Sequence, residues 1–464
     1  MKHKIIILFL IFSFVITSGF GCKWAAKDVR EKMEPITLNY WRVWDGPDAF
    51  KGVIEEYNKL HPNIQIKYRK LRYEEYEDAL LNAWAEDRGP DMFSINAAWV
   101  GKYQSKIAIM PDEIAMAYPV VKGTIKKEVV PEVKVKSSIT LAQLKNNFID
   151  TVYKDVVFDY YDEIIKSTNK EIYGLPLAVD TLAMYYNKDL LNNAGIAELS
   201  GYWSKELQQQ VKKLTKQNSR GNIIQSGIAL GTGSNIERSA DILAALMMQN
   251  GATIITDNQK VAFTEYSTGK DYNPGLDALR FYSDFSNPAR DVYSWNAELD
   301  NSLNMFIDGK LAILFGYSYH LPIINAQAPK LNFSINPLPQ IENRKEQVNM
   351  VDYWVETVSI KSQHIDEAWD FIQFATTNPE IASLYLKSTK KPTALRALVD
   401  EQLNDDEIGV FAQQLLTADS WYRGKNYPIA EQVMEEMMDA IADSPEGLDA
   451  EAKIAAGKLK QTLY

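Results

Sequence analysis

The sequence predicts an α/β fold in two bodies, each a mostly parallel sheet flanked by helices. Three observations carry this. Between residues 36 and 96 the apolar positions switch from period two to helical spacing and back, twice, which is a β-α-β-α-β order. A second strongly patterned strand, running into a helix start, lies far down the chain at 176–191. The length of 464 residues, with 46% hydrophobic and 24% charged, exceeds what one hydrophobic core usually holds.

The first element is a targeting signal. Lys2, His3 and Lys4 form a basic start, and IIILFLIFSFVI is an apolar run too short for a stop-transfer span. SGFGC then ends at Cys22, the one cysteine of the chain, which precludes an internal disulfide. Residues 1–22 thus read as a signal peptide, and the polar residues 23–35 as a tether. The net charge of −11 argues against nucleic acid, whose backbone requires a basic surface. His61, His320 and His364 are widely separated, so neither metal nor cofactor is expected.

Ile36 to Trp41 alternates as a strand. The turn WDGP follows, with Pro47 placed at a helix start. Phe50, Val53, Ile54, Tyr57 and Leu60 form a helical stripe, Ile64, Ile66 and Tyr68 the next strand, and 73–88 a helix stopped by Gly89. PDMFSI is the third strand, with Asp91 a strand-start or structural acid rather than a ligand contact. Ligands in such sheets sit beyond the carboxyl ends of strands, where Trp44, Asp45, Asn96 and Trp99 fall. Residues 108–171 read as an insertion of no legible function.

In PLAVDTLAMYYNKDLL the residues alternate from Leu177 to Tyr186, and Asp180 is the lone charge. A carboxylate there is paired, solvated or used, and the residues alone leave these open. Asn187 suits an N-cap. GTGSN at 231–235 lacks the Gly-Lys-Ser/Thr ending of a phosphate loop. Trp84 and Trp369 lie on helical stripes, as do Met434, Met437 and Met438, so packing is their expected role. Trp44, Trp99, Trp295, Trp354 and Trp421 fall instead in turns or at strand ends.

The 176–191 stretch, with its proline, acidic residue, tyrosine-rich strand and Asn-Lys-Asp-Leu, resembles the hinge segment of the extracellular solute-binding proteins of sugar ABC importers, the maltose-binding-like family. Gly89-Pro90-Asp91, the loop 231–238 and Gly316-Tyr317 match further landmarks of that family, and SGFGC resembles a bacterial lipobox. The resemblance implies a two-lobed periplasmic-binding-protein-like fold with hinge crossings. Its first lobe would comprise 36–180 and 311–352, with the insertion at 108–171; its second would comprise 181–310 and 353–464. It implies cleft roles for Asp180, Ser234, Asn235, Arg238, Tyr317, Trp421 and Arg423, with stacking assigned to Tyr317 and Trp421. Trp295 and Trp354, with Tyr353, join them as cleft candidates.

The expected function is capture of a sugar or oligosaccharide between the lobes and delivery to an ABC permease. The protein would be a monomer that does no chemistry and is held to the membrane by lipid on Cys22. Flat rings cover the C–H face of a sugar, and Asp, Asn and Arg bond its hydroxyl rim. The alternatives are a secreted glycoside hydrolase, since 61 acids allow many carboxylate pairs, or a lipoprotein that binds a non-sugar solute or serves a sensor complex.

Overall fold

The computed structural model describes residues 34–122, 128–266 and 271–464. The expected signal peptide, Cys22 and most of the expected tether lie outside the described residues. Among those described, no helix is long and apolar enough to cross a membrane. The chain divides into two compact units, which exchange the backbone after residues 94, 105, 140, 355 and 388.

The unit containing the first strand is built as the periodicity requires. β1 (Ile36–Arg42) leads through a short 3-10 turn at Pro47–Phe50 into α1 (Lys51–Leu60), β2 (Ile64–Lys70), α2 (Tyr73–Ala85) and β3 (Met92–Asn96). β1 pairs in parallel with β2 on one side and with β3 on the other. The strand Trp354–Val358 returns next to β3. Leu38 and Tyr40 of β1, Val53 and Tyr57 of α1, and Leu80 and Trp84 of α2 are buried, so the two helical stripes face the sheet. Asp91 is structural: its carboxylate takes the Asn39 N–H at 2.9 Å and the Ser362 hydroxyl at 2.7 Å. Part of the predicted insertion belongs here, as an antiparallel hairpin of β4 (Glu113–Lys122) and β5 (Glu128–Ser137).

The other unit holds residues 95–105, 141–355 and 389–464. The rest of the insertion lies here, as the helix Asp150–Val156 and the hairpin β6 (Val157–Asp162) and β7 (Ser167–Ile172). The stretch expected to be one strand is three: β8 (Leu175–Pro176), β9 (Asp180–Thr181) and β10 (Ala183–Asn187). Asp180 spends its carboxylate on the Ser318 N–H and the Thr181 N–H, which interrupts the ladder. β10 pairs antiparallel with β11 (Ile313–Gly316) and β12 (Phe333–Pro337), and β9 with β13 (Asn349–Asp352), which runs parallel to β14 (Ala418–Asp419). The expected lobe boundary at 180/181 is therefore internal to this unit. Residues on both sides of it bond within this unit: Thr181 to Phe411 and Gln414, Asp180 to Ser318. Asn187 caps the next helix by accepting from the Leu190 N–H at 3.0 Å, as its sequence position suggested.

Candidate functional site

Within the second unit, the ends of separate segments line a small recess that opens to solvent. Asn96, Ala97 and Ala98 form one wall at the end of β3, and Val351, Asp352 and Tyr353 another at the end of β13. The loop after β14 supplies Ser420, Trp421 and Tyr422, and the helix Tyr427–Asp443 begins at the rim with Tyr427. Asp155 comes from the end of the helix Asp150–Val156, and Asp241 from the first turn of α3 (Ser239–Gln249). Four of these walls begin at strand or helix ends, where backbone groups and side chains converge without closing the lattice of the sheet.

The chemistry is aromatic and acceptor-rich. Trp421 packs edge-on to Tyr422 at 5.5 Å and tilted to Tyr427 at 5.7 Å. Asp155 accepts from the Ser420 hydroxyl at 2.6 Å and the Tyr353 hydroxyl at 2.8 Å. Asp241 accepts from the Trp421 indole at 2.9 Å. Asp352 accepts from the Asn96 amide at 2.7 Å. Burial pushes the Asp352 carboxyl above its usual range, with Arg238 opposing the shift. The Glu431 carboxyl behind Tyr427 is pushed up to about 7 by desolvation, again against Arg238. Burial also raises Tyr353 and Tyr427, which keeps their hydroxyls neutral and able to donate.

Two arginines support these acids from behind. Arg238 sits at φ 56°, a left-handed turn just before α3. That turn brings its guanidinium onto Asp241 at 2.5 Å, with Asp352 at 3.6 Å and Glu431 at 3.5 Å. Arg423 bonds Asp155 at 2.7 Å and Asp419 at 2.6 Å. Burial disfavours the Arg423 charge, and the two carboxylates more than offset it.

The sequence-predicted residues separate into groups. Asn96 and Trp421 line the recess, and Arg238 and Arg423 brace it. Trp99 is buried, 5.7 Å from the half-buried ring of Trp354. Asp180 bonds Ser318 and is absent from the recess wall. Its carboxyl is pushed up to about 7 by desolvation, which outweighs the hydrogen bonds from Ser318 and Thr181.

The expectation of ligand stacking on Tyr317 does not hold for its ring as placed here. It is 0% exposed, lies under the Arg238 guanidinium at 5.3 Å, and donates its hydroxyl to Asp241 at 2.8 Å. Trp295 is likewise a packing residue, 0% exposed, with its N–H on Asn235 at 3.1 Å. Asn235 gives its amide to the carbonyls of Asn296 and Leu299, each at 3.0 Å, so it pins the loop under Trp295. Ser234 is exposed, and its N–H meets Asp439 at 3.1 Å. In the first unit, Trp44 is 51% exposed at φ 61° and stacks on Tyr73 at 4.9 Å. Asp45 accepts from the Tyr385 hydroxyl at 2.7 Å, with Arg42 at 3.4 Å.

Asp155, Asp241, Asp352, Ser420, Tyr422 and Tyr427 went unnoticed in the sequence. Asp241 had a signal, the i,i+3 spacing to Arg238 on an otherwise apolar helix start. Tyr422 and Tyr427 flank the predicted Trp421. Asp155 sits in a stretch read as an insertion, and nothing in its neighbours marks it.

Residues 44–382 match the model of the bacterial extracellular solute-binding proteins. The chain belongs to this family. Membership places the protein outside the cytoplasm. Among its curated relatives in the family are the maltodextrin-binding protein of Bacillus subtilis, 24% identical over 52% of this chain and 55% of the relative, and the maltotriose-binding protein of Pyrococcus abyssi, 22% identical over 78% and 65%. The chain thus spans between about half and two thirds of the length of these relatives. The solved solute-binding fold is shared: the cyclic α-maltosyl-1,6-maltose binding protein of Arthrobacter globiformis superposes with a TM-score of 0.68, at 17% identity, over 92% of this chain and 99% of that one. These relatives are named as binding proteins rather than enzymes.

Proposed function

We propose that this solute-binding protein captures a sugar or oligosaccharide and delivers it to an ABC importer permease. It acts as a monomer, changes no bond in its ligand, and is held at the membrane by lipid on Cys22. The observation that carries the reading is the recess itself. Four aromatic residues, Tyr353, Trp421, Tyr422 and Tyr427, share it with the carboxylates of Asp155, Asp241 and Asp352. A pyranose offers an apolar C–H face to a ring and hydroxyl donors to a carboxylate; Asp352 is the recess acid left open to solvent, at 17% side-chain exposure, while Asp155 and Asp241 are held by internal donors. Hydrogen bonds to charged acceptors are the stronger kind, and with ring contact they suffice for micromolar binding. The names of the relatives support an α-linked glucose oligomer as the first ligand to try.

Titration calorimetry of the purified protein with maltose, maltotriose, longer maltodextrins and galactooligosaccharides tests this. A dissociation constant in the micromolar range or tighter for at least one is expected, with the sugar recovered unchanged. No heat from any of them, or release of new reducing ends, would overturn the reading.

A further inference from the structure

The recess is walled by segments distant in sequence, and one side chain ties them together. Asp241 is 1% exposed and accepts hydrogen bonds from four residues. Its Oδ2 takes the Arg238 guanidinium through Nε at 2.8 Å and Nη2 at 2.5 Å, and the Tyr317 hydroxyl at 2.8 Å. Its Oδ1 takes the Trp421 indole at 2.9 Å and the Tyr427 hydroxyl at 3.4 Å. The donors come from the loop before α3, the turn after β11, the loop after β14 and the first residue of the helix Tyr427–Asp443.

We propose that Asp241 is the positioning residue of the ligand recess, acting through the Trp421 ring. The inference rests on the ligand reading above and adds to it the group that fixes the aromatic wall. An indole has one polar atom, its N–H, so bonding that atom to a buried, immobile acceptor fixes the plane of the whole ring. The acceptor is fixed in turn, because Arg238 and Tyr317 hold its other oxygen. A wall set before the ligand arrives spares the ligand the ordering of that ring, and supporting bonds of this kind decide whether a site is tight or loose. Only a carboxylate serves. An amide of the same shape has one acceptor oxygen, and its NH2 must face donors: either Arg238 and Tyr317, or the Trp421 N–H. The guanidinium is charged, so it keeps the oxygen and the indole is turned away.

The test is a double-mutant cycle with Asp241→Asn and Trp421→Phe, read with maltotriose by calorimetry. Phenylalanine keeps a ring but has no N–H to oppose the amide, and the amide can then donate to the Tyr427 hydroxyl. In the native background Asp241→Asn is expected to weaken binding about 10- to 100-fold. In the Trp421→Phe background the same change is expected to weaken it less than about 3-fold. Equal losses in both backgrounds would mean that Asp241 is structural only, and no loss in either would remove it; both overturn the proposal.

A second readout is independent of sugar. The emission of Trp421, taken as the spectrum of each Trp421-containing protein minus that of its Trp421→Phe partner, is expected to shift red and gain acrylamide quenching when Asp241 becomes Asn. An unchanged difference spectrum overturns the proposal even if the native protein binds none of the sugars, a result that would by itself refute only the ligand reading. If Asp241→Asn does not fold, Trp421→Phe alone decides: native affinity overturns the proposal, and a loss of about 5-fold or more supports it.

Discussion

Asp180 gives the most direct test of the electrostatics. Its carboxyl is pushed up to about 7 by burial, from an ordinary value of 3.8, and Asp352 nearby adds repulsion in the same direction. In the unfolded chain this group is charged above about pH 4; in the folded chain it keeps its proton to about pH 7. Between those values the folded state binds more protons, so this contribution to stability is fully present below about pH 4 and is lost as pH rises through 7. With complete burial the ceiling would be about 4 kcal/mol. Asp180 is partly exposed, and solvent screening reduces the expected size to about 1–2 kcal/mol.

The perturbation is Asp180→Asn, which keeps the shape and removes the titration. Unfolding free energies from urea curves at pH 5, 6, 7 and 8 are the assay. The native protein should lose about 1 kcal/mol more than the variant between pH 5 and 8, the share of the window above pH 5. Other raised carboxyls, among them Glu356 and Glu431, slope the same way, but they are present in both proteins and cancel in the difference. Glu237 and Asp419 are lowered, so they titrate below this window. Parallel curves for the two proteins would refute the reasoning.

Three further outcomes are expected. Glu356→Ala should cost up to about 3 kcal/mol of stability by urea unfolding, because it removes the nearer of two carboxylates on the buried Arg42, at 3.0 Å, and leaves only Asp45 at 3.4 Å; an unchanged midpoint would contradict the buried pair. Gly233→Ala should lower stability by about 1–3 kcal/mol or more, since the added methyl would meet the Glu435 carbonyl oxygen at 2.2 Å, and a native melting temperature would show that the loop can yield. Cys22→Ser should move the protein from the membrane fraction to the soluble fraction of cells; unchanged retention would refute the lipid anchor.

What could be read in advance follows from the range over which each signal acts. The order β1-α1-β2-α2-β3 was legible because each element declares itself within ten residues or so, through the period of its buried positions. The core tryptophans 84 and 369 were legible for the same reason, and so was the cap at Asn187. The lining of the recess was legible only where a residue's type and its place near a strand end agreed, as at Asn96 and Trp421. Trp295 misled because its polar neighbours look like a surface loop, whereas those neighbours satisfy the backbone around a buried ring. Tyr317 misled for a related reason: its position after β11 faces inward, and the partner that draws it there, Asp241, lies 76 residues away.

The acids of the recess expose the limit more sharply. Asp155, Asp241 and Asp352 are ordinary surface residues by composition, and each becomes significant only through donors from other segments. Asp155 gathers Ser420, Arg423 and Tyr353, and Asp241 gathers Tyr317, Trp421 and Tyr427. A buried carboxylate without such donors would lose several kcal/mol or give up its charge. The donors therefore determine which of the many acids can be buried, and the donors come together only once the fold has formed. The chemistry of this recess is thus a property of long-range pairing. For that reason substitutions at the donors, rather than at the acids alone, are the changes that would most directly retune the recess.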